Sequence, residues 1–251
     1  MKKFKFGILL ALVGILTFSC SNDDGYSLGD FWVTTGTIVK TTDDSFHVVT
    51  DGGDALWPSA SNVSPGKLED GMRVLVNYTI LGDANDSEVY DYYVKVNGIN
   101  ELLTKPIFNF DENTTEEVKD SIGNDPVTIT DTWFTNEYLN LQFEYGGGPG
   151  FVHFINLVKD TEDLEAENGE IILELKHNKN GDPYNNLQWG IASIDISELM
   201  VDGQNSVDIF VRSLNKEGEY HYNKVLTFEY GVEIEPYVKA FSDNPISESV
   251  E

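Results

Sequence analysis

Tyr138-Leu139-Asn140-Leu141-Gln142-Phe143-Glu144-Tyr145 alternates without a break. Leu139, Leu141, Phe143 and Tyr145 fall on one face of an extended chain, and Tyr138, Asn140, Gln142 and Glu144 on the other. Successive side chains of a strand point to opposite faces, so a period of two marks a half-buried strand. The same grammar continues in both directions. Gly146-Gly147-Gly148-Pro149-Gly150 reads as a hairpin turn, and Phe151 to Val158, apolar on both faces, reads as a central strand. Beyond the acidic loop Thr161–Gly169 come Ile171, Leu173 and Leu175, and then a turn, His177-Asn178-Lys179-Asn180-Gly181-Asp182. Ala192, Ile194 and Ile196 alternate next, followed by Val207, Ile209 and Val211, and finally by Leu226, Phe228 and Tyr230. About seven short strands with turn signals between them predict a β-sandwich from Val127 onward.

Toward the N-terminus the strands are fewer. Thr34–Lys40 and Phe46–Thr50 flank the turn Thr42-Asp43-Asp44-Ser45, and Asp51-Gly52-Gly53-Asp54 is a second turn. Ala55-Leu56-Trp57-Pro58 reads as a short strand ended by Pro58. Met72 to Leu81 places Val74, Val76, Tyr78 and Ile80 on one face, and Val89 to Val96 returns. Five strands ending in a long hairpin predict a small Greek-key barrel of the OB type. No helix is visible between its third and fourth strands, where the loop around Pro65-Gly66 must stand in. Thr114-Thr115-Glu116-Glu117 matches a capping box with Thr114 as N-cap, and Val118, Ile122 and Gly123 complete a helix of one to two turns. The chain is therefore expected to be all-β: an OB-like small barrel at 32–104, a connecting segment with a short helix at 105–126, an immunoglobulin-like antiparallel β-sandwich at 127–240, and a polar tail at 241–251.

The first residues are of another kind. Lys2, Lys3 and Lys5 precede an apolar run from Gly7 to Phe18, and Ser19-Cys20-Ser21-Asn22-Asp23-Asp24 follows. The run is too short for the roughly 20 residues that cross a bilayer. A basic start, a short apolar stretch and a small residue before a cysteine resemble a bacterial lipoprotein signal spanning 1–19. Cys20 is then the lipidated residue, and 20–31 is the acylated linker. The position three before Cys20, commonly Leu, is Thr17, with Leu16 one place away. Ser21, Asn22, Asp23 and Asp24 resemble an acidic export tag that carries lipoproteins of some Gram-negative bacteria to the cell surface. The expected location is the outer membrane, facing outward.

Cys20 is the only cysteine, so a lipidated Cys20 leaves no thiol for disulfides, metal sites or nucleophilic chemistry. The chain has 16 basic and 43 acidic residues, net −27. Loss of residues 1–19 removes three lysines and no acid, which leaves 13 basic residues and a net charge of −30. Such a body is repelled by phosphate backbones, so no nucleic-acid partner is expected. The charge suits a soluble surface and a cationic partner.

Trp133-Phe134-Thr135-Asn136-Glu137-Tyr138-Leu139-Asn140-Leu141-Gln142-Phe143, His153-Phe154-Ile155-Asn156-Leu157, and Leu173-Glu174-Leu175-Lys176-His177-Asn178 with Gly181-Asp182 resemble the NigD-like family of Bacteroides-type lipoproteins. The resemblance covers nearly the whole mature chain. It implies an N-terminal OB-like domain and a C-terminal β-sandwich, and structural roles for Tyr138, Asn140, His153 and His177. It also implies an immunity role, suggested by the bacteriocin gene cluster that names the family. It implies no catalytic residue.

The residues point to no catalytic chemistry of their own. Of His47, His153, His177 and His221, no two have metal-ligand spacing, and His153 shares a face with Phe151, Ile155 and Leu157 as a core histidine would. There is no GxSxG, and Gly146–Gly150 lacks the Lys-Ser/Thr ending of a phosphate loop. Asn178–Asp182 has too few carboxylates for an EF-hand calcium loop. Paired carboxylates of glycosidase type are uninformative among 43 acids. No enzyme, cofactor or metal is expected. Among the four tryptophans, Trp57 and Trp32 are the candidate ligand contacts, with packing as the competing role. The expected function is a membrane-anchored, non-catalytic binding module for a protein or peptide. The alternative is a carbohydrate-binding accessory lipoprotein.

Overall fold

A computed structural model describes residues 25–160 and 170–229. Cys20, Ser21–Asp24, the acidic loop 161–169 and the tail lie outside the described residues.

The N-terminal part is a closed five-stranded barrel. Strands β1 (Trp32–Thr42), β2 (Ser45–Thr50), β3 (Ala55–Ser61), β4 (Arg73–Asp83) and β5 (Tyr92–Glu101) run around it in the order β1-β2-β3-β5-β4. The hairpin expected from Met72 to Val96 is β4–β5, and parallel pairing of β3 with β5 closes the ring. Closure leaves no sheet edge to protect. β3 continues past Pro58 to Ser61, with a register shift between Pro58 and Ala60. A bulge is where a strand tolerates a residue that cannot donate to the ladder. Between β3 and β4 a single 3₁₀ turn, Pro65–Lys67, takes the place of the usual OB helix. Ile38, Val48, Leu56, Val74, Val76, Val94 and Val96 fill the interior, each fully buried.

The C-terminal part is a sandwich. It contains β8 (Val127–Thr135), β9 (Tyr138–Gly147), β10 (Phe154–Asp160), β11 (Ile171–Asn178), β12 (Asn186–Asp195), β13 (Ser206–Leu214) and β14 (Tyr220–Glu229). Two short strands in the stretch leaving the barrel, β6 (Leu103–Pro106) and β7 (Phe108–Phe110), join it. One sheet runs β14-β13-β11-β10-β7 and the other β6-β12-β9-β8. The pairings β10–β7, β11–β13 and β12–β6 are parallel, so the sheets are mixed rather than antiparallel throughout. The inward faces of both sheets meet in one apolar core that includes Leu139, Leu141, Phe143, Ile155, Leu157, Leu173 and Ile194.

The helix α1 (Glu116–Ile122) lies against this sandwich through buried Ile122, which packs with Phe110 and Val158. Its N-cap is Thr115, one residue later than expected, with the side chain accepting from Val118 N–H. Thr114 is instead held by Asp111. Gly123, at φ 80°, ends the helix as anticipated.

Barrel and sandwich are joined by a buried polar network inside an apolar collar of Leu75, Leu102, Trp133 and Ile191. Arg73, the first residue of β4, is 2% exposed. Its two Nη groups donate to Asp51 at 2.6 and 2.8 Å. The same guanidinium donates to Thr37 at 3.1 Å within the barrel, and to Asn140 at 2.9 Å and Ser193 at 3.3 Å across the joint. Trp133 reaches back from the sandwich, its indole N–H donating to Asp51 at 2.9 Å. The ring of Tyr138 lies under the guanidinium at 5.5 Å.

Candidate functional site

The glycine run Gly146–Gly150 does not form a hairpin. β9 and β10 lie in different sheets, so the run turns a corner from one sheet to the other. Two of its glycines are required by what packs on them. A Cβ on Gly147 would meet the His153 ring at 2.9 Å, and one on Gly148 the Tyr184 ring at 2.4 Å. These contacts fix the corner against the turn between β11 and β12.

Beneath the corner runs a buried hydrogen-bonded chain. His177 Nδ1 lies 3.0 Å from the carbonyl of Pro126, which only accepts, so Nδ1 carries the proton. His177 Nε2 is then an acceptor, and it receives His153 Nδ1–H at 2.7 Å. His153 Nε2 lies 3.0 Å from Asp182 Oδ2, and both side chains are fully buried. Asp182 also accepts the N–H groups of Gly148 at 2.6 Å and Tyr184 at 2.8 Å. Burial pushes the Asp182 carboxyl up. The N–H groups of Tyr184 and Gly148 and the His153 ring outweigh it, and the group stays below its ordinary range. An ionised Asp182 can only accept, so it takes its hydrogen bond from the N–H at His153 Nε2. Burial pushes the His177 ring down to about 4, and the neighbouring His153 charge adds to that.

This arrangement cannot abstract a proton. All four ring nitrogens are engaged within the protein, so none faces outward as a base. The ring nitrogens also point at each other rather than converging, and among the described residues no group of three or more His, Cys, Asp or Glu could hold a metal ion. The chain of bonds is a clamp between the β9–β10 corner and the β11–β12 turn. Sequence alone does not show it: His177 and Asp182 bracket one turn, but His153 lies 24 residues before His177, on another strand. His153 is buried, as a core histidine is, and its partners are the side chains of His177 and Asp182.

Beside the clamp a cavity of about 720 Å³ opens at this end of the sandwich. The buried rings of Tyr145 and His177, 5.2 Å apart, form its inner wall. Asp125, Glu144 and Glu217 line it with Lys179 and Lys216. Lys179 lies 4.0 Å from Asp125, and Lys216 lies 3.7 Å from Glu217. The carboxylate of Glu144 has no hydrogen-bond or ion-pair partner among the described residues. Leu187, also in the lining, is 72% exposed. Exposed Tyr184 and Val152 stand on the same two loops.

The two tryptophans singled out from sequence sit on the barrel, away from this cavity. Trp32 is half-buried, stacks on Tyr78 at 6.2 Å and packs against the barrel core. Trp57 is half-buried with its ring 4.8 Å from Tyr90, which in turn meets His47 edge-on at 5.2 Å. Cys20 and Ser21–Asp24 fall outside the described residues.

A model of the NigD-like N-terminal OB domain matches residues 35–102, and one of the NigD-like C-terminal beta sandwich domain matches residues 110–230. A toxin-related protein from Parabacteroides distasonis, known from a crystal structure, is 32% identical with a TM-score of 0.62; the match covers 80% of this chain and 95% of that one. A protein of unknown function from Bacteroides vulgatus is 25% identical with a TM-score of 0.65, over 85% of this chain and 97% of that one. A NigD-like immunity protein from Bacteroides caccae shares the fold at 20% identity and a TM-score of 0.58, over 78% of this chain and 92% of that one. No curated protein matches the chain. Both domain models in the expected order, and a relative one-third identical over most of its length, place this chain in the NigD-like family.

Proposed function

We propose that this protein is an envelope lipoprotein, tethered through Cys20, that binds a cationic protein or peptide and catalyses no reaction. The observation that carries the reading is charge. A chain with a net charge of −30 after loss of residues 1–19 attracts cationic partners over several ångströms and repels anionic ones. Family membership and the toxin-related name of the Parabacteroides distasonis relative support an interaction of immunity type. Ser21–Asp24 extend the reading to the outer face of the outer membrane. Cys20→Ala is expected to move the protein from the membrane pellet to the soluble fraction of the cell. Full retention in the pellet would remove the tether from the proposal.

A second reading, binding of a glycan, is favoured by one observation. Trp57, Tyr90 and His47 form a run of three rings on the barrel, and His47 Nδ1 is buried without a hydrogen-bond partner among the described residues. Half-exposed aromatic faces are what a sugar ring stacks on. One binding experiment separates the two readings. Immobilised protein carrying Cys20→Ala is exposed to poly-L-arginine and to a glycan panel at 20 and about 300 mM salt. Capture of poly-L-arginine that weakens about tenfold or more with salt supports the first reading. Glycan capture lost in Trp57→Ala supports the second, and silence toward poly-L-arginine at low salt sinks the first.

A further inference from the structure

We propose that the cavity at the loop end of the sandwich receives a basic side chain of a peptide segment, with Glu144 taking its charge and Leu187 contacting an apolar neighbour. The inference rests on the cationic-partner reading and names its site. Four observations carry it.

The first is the charge balance of the walls. Lys179 and Lys216 are already opposite Asp125 and Glu217, so Glu144 is left as the uncompensated charge of the lining. The second is its setting. Glu144 is half-buried on β9, and β9 is flanked by β12 and β8. A partly desolvated carboxylate on a rigid central strand attracts a cation more strongly than the many exposed acids of this chain do.

The third is register. Glu144 pairs with Trp189 and Gly146 with Leu187, so Glu144 and Leu187 are diagonal neighbours on one sheet face. Diagonal neighbours lie about 7–8 Å apart, within the span of an arginine and the residue next to it. Asn185 packs over Gly146, and Leu187, the strand partner of that glycine, stays 72% exposed. On the other side Thr128 pairs with Glu144, so a hydroxyl stands in register with the carboxylate. The fourth is size. A cavity of about 720 Å³ holds more than one side chain, so its occupant is a stretch of peptide. The buried His153–His177–Asp182 clamp holds the corner and turn that bound this space.

The test uses the tetrapeptide acetyl-Arg-Leu-Arg-Leu-amide and its Gln-Leu-Gln-Leu counterpart, titrated at low salt into ¹⁵N-labelled protein carrying Cys20→Ala. The arginine peptide is expected to shift the amide resonances of Thr128, Glu144–Gly147 and Leu187, and the glutamine peptide to leave them in place. Glu144→Gln preserves size and is expected to weaken binding about tenfold with an unchanged unfolding midpoint. Leu187→Ser should weaken binding by a smaller factor. Equal affinity of Glu144→Gln and its parent, or shifts confined to the barrel, would overturn the site while leaving the cationic-partner reading in place. If neither peptide binds, the site falls, and the cationic-partner reading stands or falls with poly-L-arginine. If both bind alike, the charge chemistry of the site is wrong.

Discussion

Arg73→Met is expected to lower the stability of the protein by about 3–5 kcal/mol at pH 7, the typical penalty for removing one partner of a buried ion pair. The substitution keeps most of the volume and the apolar stem, so the loss is electrostatic. Asp51 would remain buried with the Thr35 hydroxyl and the Trp133 indole as donors but with no cation. At present burial pushes the Asp51 carboxyl up, while Arg73, Trp133 and Thr35 hold it below its ordinary range. Without Arg73 only Trp133 and Thr35 oppose burial, and the Asp51 carboxyl moves up. Asn140 and Ser193 would also lose the donor that bridges them to the barrel. The loss should therefore appear in cooperativity as well as in free energy. In urea the parent is expected to unfold in one transition, followed by the tryptophans of barrel and sandwich together. Arg73→Met should separate the two. Arg73→Met with Asp51→Leu removes both charges and should recover part of the loss, because a buried pair contributes little beyond the cost of breaking it. A loss below about 1 kcal/mol, or one undivided transition, would show that the apolar collar alone holds the joint.

That joint is the part of the fold least visible in sequence. A strand such as Tyr138–Gly147 announces itself because one face lies wholly in a core and the other mostly does not, and alternation records that difference. Asp51 reads as the start of a turn, and Arg73 as a charge at the head of a strand. Nothing local says that they meet, since the meeting depends on where two separately folded sheets come to rest. β6 and β7 were hidden for another reason. They are four and three residues long and carry Pro106 between them, too short for any period to show. Gly146–Gly150 marks a change of direction in the sequence, but it is not the hairpin its residues suggest, because whether a turn joins paired strands or two sheets is decided by topology. The candidate site follows the same rule. The family, and hence the two-domain plan, was legible in residues such as Trp133–Phe143. The cavity was not, because its lining comes from four separate segments, and Glu144 stands out only once its neighbours are seen to be paired with each other.

The clamp beneath that cavity makes stability depend on mild acid. His177 titrates at about 4 in the folded protein and near 6.5 when unfolded. Between these values the unfolded chain binds a proton that the folded chain refuses, so the contribution of His177 is intact above pH 6.5 and is lost progressively as pH falls toward 4. The difference corresponds to about 3 kcal/mol. Hydrogen-bond direction explains the refusal along with burial. A proton on His177 Nε2 would face the N–H of His153 Nδ1 with no acceptor between them. Of the other groups around the ring, Asp125 opposes the shift and Lys179 assists it. His47, lowered by burial, acts in the same direction as His177. Asp54, raised by burial and by Asp91, acts in the opposite one. Asp51 and Asp182 are held low, so their contributions vanish only below the ordinary carboxylate range. Urea unfolding at pH 7.5, 6.0 and 4.5 on His47→Gln, alone and combined with His177→Asn, isolates the clamp. The double variant is expected to be less stable at pH 7.5, since His153 loses its acceptor, and to lose about 3 kcal/mol less between pH 7.5 and 4.5. Parallel pH profiles for the two would mean that His177 accepts its proton in the folded state, and the bond directions assigned to the clamp would then have to be reversed.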